Sequence, residues 1–66
     1  MITLTINGEV RNTEVDSLDD LFAELGLAAP LLLVEYNGVA LTRSEWVGVV
    51  LKQGDHLELM AVAAGG

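Results

Sequence analysis

The dipeptide Asn-Gly occurs twice in this chain, at Asn7-Gly8 and Asn37-Gly38, each time between stretches patterned as strands. Asn and Gly both tolerate positive φ, so two-residue loops of this composition join antiparallel strands, and the sequence is committed to two hairpins. Before the first turn, Ile2, Leu4 and Ile6 alternate with Thr3, Thr5 and Asn7, the period-two pattern of a half-buried strand. The return strand, Glu9 to Val15, is less regular, with Val10 and Val15 on opposite faces unless a bulge intervenes. Before the second turn, Pro30 breaks the chain. The unbroken apolar start of Leu31-Leu32-Leu33-Val34-Glu35-Tyr36 then predicts a buried strand, returning through Val39-Ala40-Leu41.

Between the hairpins lies one well-punctuated helix. Ser17 is placed to cap it, with Asp20 at the third helical position, and Asp19 and Asp20 suit the positive end of the helix dipole. Leu18, Leu21, Phe22 and Leu25 form a single apolar stripe, and Gly26 is the residue expected to end the helix in the left-handed region, with Leu27 folding back on the last turn. Thr42-Arg43-Ser44-Glu45 has the spacing of a capping box and predicts a short helical turn containing Trp46. After the Gln53-Gly54-Asp55 turn, a final strand from His56 to Val62 carries Leu57, Leu59 and Ala61 on one face and Met60 and Val62 on the other. A strand apolar on both faces belongs in the middle of a sheet. One amphipathic helix can cover one face of one sheet, so the economical α+β solution is a mixed sheet wrapped around that helix, the β-grasp or ubiquitin-like arrangement. The expected organisation is a β-grasp domain over residues 1–62 and a flexible tail over 63–66.

With 66 residues there is room for one domain, which buries only about 60% of the surface its unfolded chain exposes. The 52% hydrophobic content meets that demand and predicts a folded chain despite a formal net charge of -7. Ten acidic residues against Arg11, Arg43 and Lys52 argue against nucleic acid and anionic membrane as partners, since too few cations are present to displace phosphate counterions. A basic protein surface and simple solubility account for the acidity equally well. The lack of Cys excludes a disulfide scaffold and a thiol nucleophile. Met1 runs straight into strand sequence and no apolar run reaches membrane-spanning length, so a soluble, cytoplasmic protein without a signal peptide is expected. His56 is the single histidine, and neither a metal site nor a Ser-His pair is expected. Asp16-Ser17-Leu18 matches the phosphopantetheine tripeptide of acyl carrier proteins, but it follows two predicted strands, and Ser17 is read as a helix cap.

The chain ends in Ala63-Ala64-Gly65-Gly66, directly after strand sequence. A terminal Gly-Gly carries no side chain near the carboxylate, so such a tail can extend and thread a narrow channel into a partner's active site. Fraying, or a cloning scar, is the alternative for the tail taken alone.

The run from Tyr36 through Asn37-Gly38 to Thr42-Arg43-Ser44-Glu45-Trp46, then Leu51-Lys52-Gln53-Gly54-Asp55 and the terminal Gly65-Gly66, resembles the ThiS family, the sulfur carriers of thiamin thiazole synthesis. Thr42, in place of a proline, and Tyr36, in place of a smaller aliphatic residue, depart from that pattern. The resemblance implies a carrier without an active site of its own. A ubiquitin-activating-type (ThiF-like) adenylyltransferase spends ATP to adenylate the carboxylate of Gly66, with Gly65 and Ala64 threading the channel. A sulfur donor then forms a thiocarboxylate, and thiazole synthase (ThiG-like) receives the sulfur. The carrier itself binds no cofactor. An apolar patch on the sheet face away from the helix is expected to dock these enzymes, with Leu57, Leu59 and Met60 as candidates. Arg43 and Trp46 either belong to a partner surface or, for Trp46, close the core. The alternatives are a carrier like the small subunit of molybdopterin synthase, a ubiquitin-like modifier with Lys52 as its single lysine, and an interaction module with an inert tail.

Overall fold

The computed structural model describes residues 1–27 and 32–61. Five strands, β1 (Ile2–Ile6), β2 (Glu9–Thr13), β3 (Leu32–Tyr36), β4 (Val39–Leu41) and β5 (His56–Ala61), form one sheet in the order β2-β1-β5-β3-β4. β1 and β5 run parallel, whereas β1–β2, β3–β4 and β3–β5 are antiparallel. A single helix, α1 (Leu18–Leu25), and a 3-10 helix (Arg43–Gly48) complete the described elements. This is the mixed α+β sheet around one helix, the β-grasp, that the hairpins and the lone amphipathic helix predict.

The helix termini follow their local chemistry. Ser17 Oγ accepts a hydrogen bond from the Asp20 N–H at 3.1 Å. At the other end, Gly26 adopts φ 72°, and the N–H groups of Gly26 and Leu27 donate to Ala23 O (3.2 Å) and Phe22 O (2.9 Å). That pair of reversed bonds satisfies carbonyls the helix would otherwise leave open, and it folds Leu27 onto the core. The stripe then buries Leu18, Leu21 and Phe22 against Leu4, Val34 and Leu57 from the three central strands. Each fully buried side chain of this kind contributes about 1.5–3 kcal/mol relative to exposure.

Trp46 closes the core from the 3-10 helix. It is 6% exposed and meets Phe22 edge-on, with ring centroids 5.1 Å apart and planes at 73°. Glu45 reaches back to the Thr42 N–H (2.8 Å) and hydroxyl (2.9 Å), closing the glutamate arm of the expected capping box.

Two expectations need correction. β2 ends at Thr13, not Val15, because the buried Thr13 hydroxyl accepts from the Val15 N–H at 3.3 Å and donates to Glu24 at 2.9 Å, bending the chain toward α1. Val10 is 74% exposed. β3 is not buried on both faces: Leu32 and Val34 are buried but Leu33 is 57% exposed, because α1 covers one side of the sheet only. The apolar residues on both faces of β5 do coincide with a central position, as expected, yet Met60 on the open face is 64% exposed. Pro30, Leu31, Val62 and the whole 63–66 tail, and with them the boundary between domain and tail, lie outside the described residues.

Candidate functional site

The last strand is the element that leads to Gly65 and Gly66, and its neighbours hold it by an unusual means. On one edge, the Asn7 N–H donates to Leu57 O (2.9 Å), while the Asn7 side chain takes the Leu59 N–H on Oδ1 (2.7 Å) and donates from Nδ2 to Leu59 O (3.0 Å). On the other edge, the Asn37 N–H donates to His56 O (2.8 Å) and Asn37 Oδ1 accepts the His56 N–H (2.8 Å). Both asparagines stand in left-handed turns, with φ 51° and 49°. In each, a side-chain amide oxygen occupies the place of a backbone carbonyl in the ladder, so the turn residue also splices its hairpin to β5.

Just ahead of β5, Asp55 is buried and fully engaged. Its carboxylate accepts from the Tyr36 hydroxyl (2.6 Å), the Asn37 Nδ2 (3.2 Å) and the Lys52 N–H (2.8 Å). Burial works against the charged form, but these hydrogen bonds outweigh it and hold the Asp55 carboxyl below its ordinary value. The reciprocal effect pushes the Tyr36 hydroxyl up to about 12, first through its hydrogen bond to Asp55, then through burial and the nearby negative charge. Tyr36 is therefore no arbitrary departure from a smaller residue, since it supplies a donor that a buried carboxylate needs.

The open face of the sheet is the second part of the site. Register places Leu33 opposite Met60 and Glu35 opposite Glu58, all on the side away from α1, with Ala40 beside Glu35. Together they line a shallow depression of about 200 Å³. An apolar pair thus sits beside two carboxylates that face each other across the strands. Like charges placed so are mildly destabilising in the sheet.

Of the docking candidates, Met60 stands on this face. Leu57 is corrected to a core residue: it is 1% exposed and points toward α1, so its side chain cannot meet a partner. Leu59 shares that inward face and is half-buried. Trp46 is a core residue as well, and Arg43 is exposed above it, its guanidinium carbon 5.8 Å from the ring centroid. Ala64, Gly65 and Gly66 lie outside the described residues. Leu33 was missed because an unbroken apolar run hides its alternation. The signal available was its two-residue offset from Glu35, which marks the polar face.

Other candidates resolve into ordinary roles. His56 is exposed, and Ser17 is the helix cap described above. Among the described residues no three His, Cys, Asp or Glu side chains cluster to hold a metal ion, and no helix is long and apolar enough to cross a membrane.

Comparison with known proteins adds a family to this geometry. The model of the ThiS family matches residues 4–66. A thiazole synthase of Paramagnetospirillum magneticum is 36% identical over 64 residues, which are 96% of this chain but 20% of that protein, so the chain spans about a fifth of that relative. An uncharacterized protein, ycf40, of Trieres chinensis is 29% identical over 65 residues, covering 97% of this chain and 89% of the relative. Among solved structures, the thiamine biosynthesis protein ThiS of Geobacter metallireducens superposes with a TM-score of 0.80 at 28% identity, covering 98% of this chain and all of that one.

Proposed function

The chain belongs to the ThiS family, and from that premise we propose that it is a sulfur carrier of thiamine biosynthesis whose reacting group is the carboxylate of Gly66. The observation that carries this reading is a family match extending through Gly65-Gly66, on a domain whose central strand runs toward that tail. A carboxylate with a pKa of about 3.3–3.7 is ionised at neutral pH and is a poor electrophile. Its oxygen attacks the α-phosphate of ATP in the activating enzyme, pyrophosphate leaves, and the resulting acyl-adenylate has AMP as a leaving group. A sulfur nucleophile then displaces AMP and leaves a thiocarboxylate, from which thiazole synthase takes the sulfur. The likeness to a thiazole synthase supports that last partner. ATP is a substrate of the partner enzyme, the carrier contributes no cofactor, and the cytoplasm is where it works.

Four extended residues reach about 13–14 Å, enough for the tail to enter a buried site while the domain remains outside. Docking falls to the open sheet face around Leu33 and Met60, with Glu35 and Glu58 meeting cations of the partner and the net charge of -7 drawing a basic surface. Arg43, exposed at the margin, is a further contact.

The test is intact-mass and C-terminal fragment analysis after incubation with ATP, an activating enzyme and a sulfur source. One oxygen replaced by sulfur, localised to Gly66, is the expected result. No change, with enzymes proven active on another carrier, counts against this reading and favours an interaction module with an inert tail or a different cognate pathway. Gly66→Val is expected to fold normally and to abolish adenylation, because a branched side chain blocks the channel; ordinary ATP turnover by this variant would contradict the threading mechanism.

A further inference from the structure

Asn7 fills a place in the sheet that belongs to a strand. In a parallel pair, a residue donates its N–H to one residue of the neighbouring strand and accepts, through its carbonyl, from the residue two further along. Asn7 makes the first of these bonds with its backbone, to Leu57 O, and the second with its side chain, Oδ1 accepting from the Leu59 N–H. Its Nδ2 then makes the bond to Leu59 O that the following strand residue would have made. The chain meanwhile has left the sheet into the hairpin, with Asn7 at φ 51° and Gly8 at φ 82°.

The location gives this substitution its weight. β1 pairs with β5 only at Thr5–His56 and Ile6–Leu57, whereas on the opposite edge β3 stays paired as far as Ala61. Among the described residues, the Asn7 amide is therefore the last hydrogen-bonding link to β5 on that edge. A cleft of about 490 Å³ opens at this corner, with Asn7, Leu25, Leu27, Leu32, Leu59 and Ala61 in its wall.

We infer that Asn7 is a positioning residue for the C-terminal tail: its amide replaces the missing strand and sets the direction in which β5 delivers residues 62–66. The inference rests on the carrier reading. Without the amide, the far end of β5 is paired on one edge only, and the carboxylate reaches the activating enzyme from a spread of starting points. Docking through Leu33 and Met60 is untouched, so the loss falls on the chemical step rather than on association.

The full-length chain tests this through three variants. Asn7→Gly keeps a residue free to adopt positive φ and removes the amide; Asn7→Asp keeps the acceptor and loses the donor; Asn37→Gly removes the counterpart splice at the other end of β5. ATP–pyrophosphate exchange is measured with the activating enzyme over a range of carrier concentrations. For Asn7→Gly, kcat is expected to fall about tenfold with KM within about twofold, Asn7→Asp to lie between it and the parent, and Asn37→Gly to keep both constants within about twofold. Amide hydrogen exchange at Leu59, Met60 and Ala61 should quicken about tenfold in Asn7→Gly relative to Asn37→Gly. A rise in KM alone, an equal kcat loss in Asn37→Gly, or unaltered exchange at these amides overturns the inference. A parent chain that is adenylated no faster than its Asn7→Gly variant overturns this inference alone, while a parent that is not adenylated at all overturns the carrier reading and the tail-positioning role with it.

Discussion

The two Asn-Gly turns share a dipeptide, a backbone conformation and a strand to which they attach, but they occupy different surroundings. Asn37 hooks the start of β5 and also donates to Asp55, so it is one member of a set that includes Tyr36 and the Lys52 N–H. Asn7 hooks the far half of β5 and spends its whole side chain on Leu59. The same local code therefore produces a stability element on one edge and a solitary link on the other. What separates them is the third partner: a buried carboxylate couples its donors, so losing one member weakens the rest.

Asp55→Ala breaks the comparison most severely. It leaves the Tyr36 hydroxyl, an Asn37 N–H and the Lys52 N–H without their acceptor, and should cost about 3 kcal/mol in urea unfolding. A loss below about 1 kcal/mol would mean that the set is not coupled. Asn37→Gly should follow at about 2 kcal/mol, against about 1 kcal/mol for Asn7→Gly, since glycine keeps both turns and only the splices differ. Equal losses would erase the distinction between the two turns.

Tyr36→Phe should cost about 1.5 kcal/mol at neutral pH, the hydrogen bond to a charged group being what it removes. It also sharpens the comparison through pH. The Tyr36 hydroxyl is raised to about 12 in the folded chain, so its contribution is complete below the unfolded value of about 10 and is lost as pH rises from there through about 12. The Asp55 carboxyl is lowered, so its contribution is present above about 3.9 and is lost as pH falls through its folded value. Stability measured against pH should therefore fall at both extremes in the parent and in Asn7→Gly, whereas Tyr36→Phe flattens the alkaline limb and Asp55→Asn the acid one. An Asn7→Gly curve that changes shape would tie Asn7 to the Asp55 set after all.

The smallest effect on stability is expected on the open face. Met60→Ser and Leu33→Ser should change unfolding free energy by less than about 0.5 kcal/mol, because both side chains already stand in solvent, while weakening association with the activating enzyme. Unchanged association, measured by surface binding at two salt concentrations, would remove this face from the docking reading.

Much of the fold was legible because it is written in local terms. The turns follow from the tolerance of Asn7, Gly8, Asn37 and Gly38 for positive φ, the helix from Ser17, its apolar stripe and Gly26, and the central place of β5 from apolar residues on both faces. The Gly65-Gly66 motif that the carrier proposal rests on is plain in the sequence, whereas the face proposed for docking was illegible because it depends on orientation. Nothing in His56-Leu57-Glu58-Leu59-Met60 says which alternate set meets α1, and taking Leu57, Leu59 and Met60 together as docking candidates drew on both faces, of which only that of Met60 is open. The period of a strand reveals that two faces exist, and only the helix packed on one of them decides which is inside.

By itself, then, the sequence determined the elements, their order and the terminal Gly-Gly, because caps, turns and periodicity act between residues a few positions apart. The splices were decided by tertiary structure alone. Asn7 meets Leu59 across 52 positions and Asn37 meets His56 across 19, and a turn-forming asparagine looks the same in sequence whether or not a strand lies within reach of its amide. The pairing exists because the sheet brings β5 between the two hairpins, where its unpaired N–H groups and carbonyls find in each asparagine the bonds a longer strand would have supplied.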